Sequence, residues 1–255
     1  MAINLPLLFV LLVGKSHGWI SSPPMAFPSH RTTARLSKSP YADDRPKNPV
    51  IFVKVDDTGN WGSQDSPPPA AEETWRWCTN FVVPLNLCPW AAASVKSQGG
   101  VKVYLVDRAH DMQSAVEDAS SNLIAAIKSG EVDANLAISF IVTTEYWEFG
   151  SFYGWFLDLE EAFIDSSFDE VTLAPFHPDW LFQDDEAELS FEKKSPYPTV
   201  SVVSRFVIEK AGVEATSAIA GHNKAILLDR GFDQLQELYQ NQVLLFPNRV
   251  AQENN

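Results

Sequence analysis

An α/β domain with a central mixed, partly parallel sheet of about four strands flanked by helices is what this sequence predicts. Three observations carry that reading. Short apolar runs at 101–106, 135–143, 170–176 and 199–204 alternate with longer amphipathic stretches, the order expected of strands separated by helices. The run "NLAISFIVT" (135–143) is apolar almost without a break, the mark of a strand covered on both faces. And the chain beyond residue 71, about 185 residues with no internal repeat, is long enough for one full-sized core.

Taken in order, "AAEETWRWCTNFVVPLNL" opens the domain, placed at 72–247, as a helix. Trp77, Phe81, Val82 and Leu85 recur at helical spacing, and Glu72 and Glu73 stand where a helix N-terminus favours acids. "VKVYLV" (101–106) alternates like a half-buried strand. In the next helix Met112, Ala115, Val116, Ala119, Leu123 and Ile127 share a face, with Asp111 positioned to cap its start and Gly130 to end it. A helix over 150–164, a strand over 170–176 and a strand over 199–204 follow, the last leading into a helix through "RFVIEKAG". A final helix points Phe232, Leu235, Leu238 and Tyr239 inward, and 248–255 reads as a disordered tail.

The N-terminal region has a different composition. Residues 3–13, "INLPLLFVLLV", are too short an apolar run to span a bilayer and suit a signal peptide over 1–18. From Met1 to Ala42 there are four basic residues (Lys15, Arg31, Arg35 and Lys38) and no acid, so 19–42 reads as a transit-like segment. Together they resemble the bipartite presequence of proteins sent to plastids of secondary origin, with Gly18-Trp19 as the junction; simple secretion is the alternative. Residues 43–71 are Pro/Asp/Ser-rich and read as a disordered linker, within which "VIFVKV" (50–55) either pairs at a sheet edge or binds nothing.

Over residues 71–255 there are 12 Lys+Arg against 28 Asp+Glu, a formal charge of −16. Such a surface repels phosphate backbones, so nucleic acid is not an expected partner, and no membrane span is expected in the mature protein. With 74–87 as one helix, Cys78 and Cys88 lie roughly 15 Å apart, too far for a disulfide. Two free thiols are expected.

The residues able to do chemistry gather in loops. "LAPFHPDWLF" (173–182) places His177 and Asp179 straight after a strand, where ligands of α/β sheets usually sit. His177 suits an acid/base with Asp179 as its orienter, or a metal site lacking a readable third ligand. The competing role is structural: His177 bonding a backbone carbonyl and Asp179 capping a turn. "KKSPYPTV" (193–200) holds Tyr197 between two prolines, with Ser195 beside it and Lys194 as an anion anchor. The competing reading is a solvated lysine pair beside a packed tyrosine. Cys88, ahead of Pro89, falls at a helix N-cap, where a thiolate is favoured, so thiol redox chemistry stands beside a buried packing thiol. No cofactor and no nucleotide-binding fingerprint can be read. A non-catalytic interaction module using the eight tryptophans is a third reading.

"W…LNLCPWA", "FHPDWLF", "SPYPTVSVVSR" and "AGHNKAILLDRG" together resemble the family catalogued as domain of unknown function 1415, in the right order over about residues 72–235. The resemblance implies that Cys88, Pro89, His177, Pro178, Asp179, Ser195, Pro196, Tyr197, Pro198, Arg205 and Asn223 fall on family positions. Lys194 and His222 stand where the family has arginine, which weakens any bidentate anion clamp. The family implies no established reaction. The working expectation is one polar hollow for a small molecule, gathering His177, Asp179, Lys194, Ser195, Tyr197 and Arg205, with Cys88 and Asn223 nearby.

Overall fold

The computed structural model describes residues 51–55 (backbone only), 68–97, 100–131, 134–164, 168–182 and 186–246. The expected presequence segments (1–18 and 19–42) and the tail (248–255) lie outside the described residues. Of the expected linker, 51–55 form a strand and 69–71 begin a helix.

Among the described residues a five-stranded mixed sheet is the frame, flanked by helices as the alternation of runs predicted. Its strands are β1 (Ile51–Val55), β2 (Val101–Val106), β3 (Ile138–Thr143), β4 (Val171–Phe176) and β5 (Thr199–Ser204), in the order β1-β2-β3-β5-β4. β1, β2 and β3 are parallel; β5 lies antiparallel between β3 and β4. The patch around "VIFVKV" therefore pairs at the sheet edge, and the sheet has one strand more than expected. At the other edge, β4 carries Pro175, whose missing N–H is tolerated where one side of the strand has no neighbour.

The side chains of β2 to β5 are mostly buried because both faces of the sheet are covered. On β2, Val103 and Leu105 point into one core, and Tyr104 and Val106 into the other. The first core is roofed by α1 (Pro69–Trp77), a π-helical turn (Cys78–Val82), α2 (Pro89–Lys96) and, from the C-terminal side, α5 (Arg205–Arg230) and α6 (Phe232–Gln242). The second lies under α3 (Met112–Lys128) and α4 (Phe149–Ile164).

Four local expectations are corrected. Residues 74–87 are not one helix: α1 gives way to the π-helical turn at Cys78, and the chain then reverses through Asn86, at φ 53°, into Cys88. The two thiols are consequently close enough for a charge on one to act on the other, although both remain free. Asp111 precedes α3 but its carboxylate does not cap it; the oxygens go to Arg108 Nε at 3.0 Å and His110 Nε2 at 3.3 Å. Glu73, expected at the helix start with Glu72, lies past the first turn of α1, where Glu72 is the acid, and is 2% exposed. Phe232 is 37% exposed, with its ring against Phe191, whereas Leu235 and Tyr239 are buried as expected.

Candidate functional site

The loop after β4 is locked from both sides by His177. Its backbone N–H donates to Lys193 O (3.0 Å) and its carbonyl accepts from Trp180 N–H (3.2 Å). The Asp179 N–H donates to Nδ1 at 3.1 Å, which leaves the proton on Nε2 for donation to Trp147 O at 2.8 Å. The ring is 1% exposed and lies against Phe149 and Phe152 of α4. Burial holds the imidazole below its ordinary pKa; the Trp147 carbonyl and the Asp179 and Glu148 carboxylates oppose that shift. Both ring nitrogens are therefore engaged by backbone. Asp179 orients the ring through its amide, while its exposed carboxylate faces Lys194.

The proline-bracketed loop is similarly tied down. Ser195 Oγ and Thr199 Oγ1 both donate to Tyr197 O, at 2.5 and 2.8 Å. Tyr197 Oη donates to the buried Glu73 carboxylate at 2.7 Å, and Glu73 also accepts from Leu245 N–H at 2.8 Å. One carboxylate on α1 thus staples this loop and the segment after α6. Lys194 is partly buried with its Nζ 5.3 Å from the centre of the Phe191 ring, and desolvation holds the ammonium below its ordinary pKa.

A second polar cluster lies on the same side as the Tyr197–Glu73 pair, against the first core and across the sheet from the His177 ring. Cys88 is the N-cap of α2, with Pro89 at the first helical position. The thiol is partly buried and burial pushes its pKa up; the amides of Ala91 and Trp90 and the Lys193 ammonium pull in the opposite direction without prevailing. The resting thiolate that a redox thiol uses is thus not favoured here, because desolvation outweighs the helix terminus. Lys193 has its Nζ 4.9 Å from the centre of the Phe176 ring. Burial pushes its ammonium down, against Glu192, Cys88 and Glu160.

Asn223 of α5 joins these segments. Its Nδ2 donates to Leu87 O at 3.0 Å and to Glu192 Oε1 at 2.9 Å, so the residues preceding Cys88 and Lys193 are held by one carboxamide. Beside Cys88 and Trp90 lies a cavity of about 30 Å³ lined mainly by Asn135–Ile138, Val203, Ser204 and Ile208, enough for one or two waters.

The expected single hollow does not form. The imidazole of His177 packs into the core under α4 and the thiol of Cys88 against the opposite core, so the sheet separates them. Arg205 stands at the far end of β5 from Tyr197, about 20 Å away along six extended residues, with its Nη2 3.4 Å from Val171 O. Cys88 and Asn223 are brought together. Glu192 and Lys193 complete that cluster and were not singled out in the sequence, where Lys193 is indistinguishable from its neighbour Lys194. Among the described residues no three metal-binding side chains cluster, and no helix is long and apolar enough to cross a membrane.

Comparison with the curated proteins and with the solved structures finds no match. The model of the family described as protein of unknown function DUF1415 matches residues 69–237, a span that contains β2 to β5, Cys88, His177 and Asn223. The chain belongs to the DUF1415 family.

Proposed function

We propose that the protein is an enzyme acting on a small acyl compound, with Cys88 as nucleophile and Lys193 as its base. The observation that carries this reading is the bridge from the buried Asn223, which fastens the residue before the thiol to the residue before the amine within one partly buried cluster. Burial raises the thiol and lowers the ammonium, which favours a neutral thiol beside a neutral amine able to take its proton. The N-terminus of α2 favours negative charge developing beside the sulfur. Lys193 takes the Sγ proton and the sulfur bonds the carbonyl carbon. The leaving group departs with its bonding pair and the proton returned by Lys193; water then releases the acyl group. His177, Asp179, Ser195 and Tyr197 enter this reading as residues that hold the loop bearing Lys193.

The test is acylation by p-nitrophenyl acetate at pH 7.5, followed by peptide mapping. A burst of nitrophenolate with the acetyl group on Cys88 is expected, lost in Cys88→Ala and slowed tenfold or more in Lys193→Met. Acetylation at other residues with no change in Cys88→Ala would overturn the reading.

The acid-free segment ending at Ala42 supports delivery to a plastid through the secretory pathway. A fluorescent fusion of residues 1–42 tests it: plastid fluorescence is expected, and secretion of the fusion contradicts it.

A further inference from the structure

Asn223 is 2% exposed, and its carboxamide has one possible orientation. Both hydrogens of Nδ2 are spent, on a carbonyl at 3.0 Å and a carboxylate at 2.9 Å. Neither partner can donate, so exchanging the oxygen and nitrogen would set Oδ1 against two acceptors. Oδ1 is thereby fixed, and it is buried with no donor among the described residues. A buried acceptor left without a donor is rare in folded proteins and calls for an explanation. This one lies at the junction of the two segments that carry Cys88 and Lys193, with the small cavity adjoining the same cysteine.

We propose that Asn223 Oδ1 is the specificity-determining acceptor of this site and receives an N–H of the substrate, so that the site takes small amides or ureas. The inference rests on the reading of Cys88 as nucleophile. In an amide the nitrogen is one bond from the carbonyl carbon, and in a haloacetamide two bonds from the alkylated carbon, so in either an acceptor fixed beside the nucleophile can meet the N–H. The adjoining cavity beside Cys88 has room for one or two heavy atoms, which keeps the acyl portion small. A substrate without the N–H leaves Oδ1 unpaired in the bound state, and sites built around a buried polar group discriminate strongly on that ground.

The experiment measures alkylation of Cys88 in the full chain by peptide mapping, with each rate divided by that of glutathione at the same pH. The reagents are iodoacetamide, its N-methyl and N,N-dimethyl derivatives, and methyl iodoacetate, which separates the N–H from the size of the reagent. The expected result is that both reagents carrying an N–H react at least tenfold faster than the two without one. In Asn223→Leu, shown to be folded by circular dichroism, the preference falls to about one. Equal normalised rates in the wild type overturn this inference and leave the nucleophile in place. No modification of Cys88 by any reagent overturns both. Should Asn223→Leu fail to fold, the wild-type series alone decides.

Discussion

The Nε2–H of His177 meets the carbonyl oxygen of Trp147 at 2.8 Å and thereby ties the loop after β4 to the residues leading into α4. Removing the ring leaves that carbonyl and the Asp179 amide without their partner and opens a void beside Phe149 and Phe152. His177→Ala is expected to cost about 3 kcal/mol in urea unfolding. A cost below about 0.5 kcal/mol would contradict the locking role.

Burial of the same ring sets a pH dependence. Burial holds the folded imidazole below its ordinary value of about 6.5, so below that pH the unfolded chain binds the proton first. The contribution is full above about pH 6.5 and declines as pH falls from there towards the folded value. Thermal unfolding between pH 7.5 and 5.5 should show the decline in the wild type and a weaker one in His177→Gln.

Tyr197 and Glu73 form the long-range staple between the proline-bracketed loop and α1. Tyr197→Phe keeps the ring and removes one donor from a buried carboxylate, at an expected cost of about 1.5–3 kcal/mol. Glu73→Gln should cost a similar amount, and the double variant less than the sum of the two. Additive losses in that cycle would show that the two groups do not depend on each other.

The two thiols should separate by reactivity. Cys78 is fully buried and its thiol is pushed up first by desolvation and then by Cys88, whereas Cys88 is partly exposed. Titration of native protein with a thiol reagent at pH 8 should modify Cys88 and leave Cys78 unmodified until denaturant is added. Equal rates at both would contradict this burial.

Gly212 has φ +80° and breaks the long helix α5 into two parts. A methyl group there meets no atom within 4 Å, so the cost of Gly212→Ala is conformational alone. The substitution should destabilise by about 1–2 kcal/mol, read as a lowered Tm with Cys88 alkylation unchanged.

The fold was legible where local chemistry decides it. β4 and β5 fall at or within a residue of the bounds that their apolar runs and flanking prolines mark. α3 ends at Lys128, with Gly130 at φ +73° immediately beyond. The break at Cys78 was not legible, because apolar spacing continues through Phe81 and Leu85 while the backbone widens into a π turn and then reverses.

The candidate residues were legible as types but not as partners. His177 bonds a carbonyl 30 residues away and Tyr197 a carboxylate 124 residues away, separations at which periodicity carries no information. Glu73 looked like a helix-start acid because its burial depends on Leu245 and Tyr197 arriving from elsewhere in the chain.

One consequence of the strand order concerns how the molecule is made. Of the described strands β5 is the last to leave the ribosome, yet it occupies the slot between β3 and β4, which are not paired with each other. A nascent chain ending before Thr199 can pair its first three strands but holds β4 without a neighbour. Closure of the sheet therefore waits for a late wedge, and until it arrives two unpaired edges are open to chaperones or to other nascent chains.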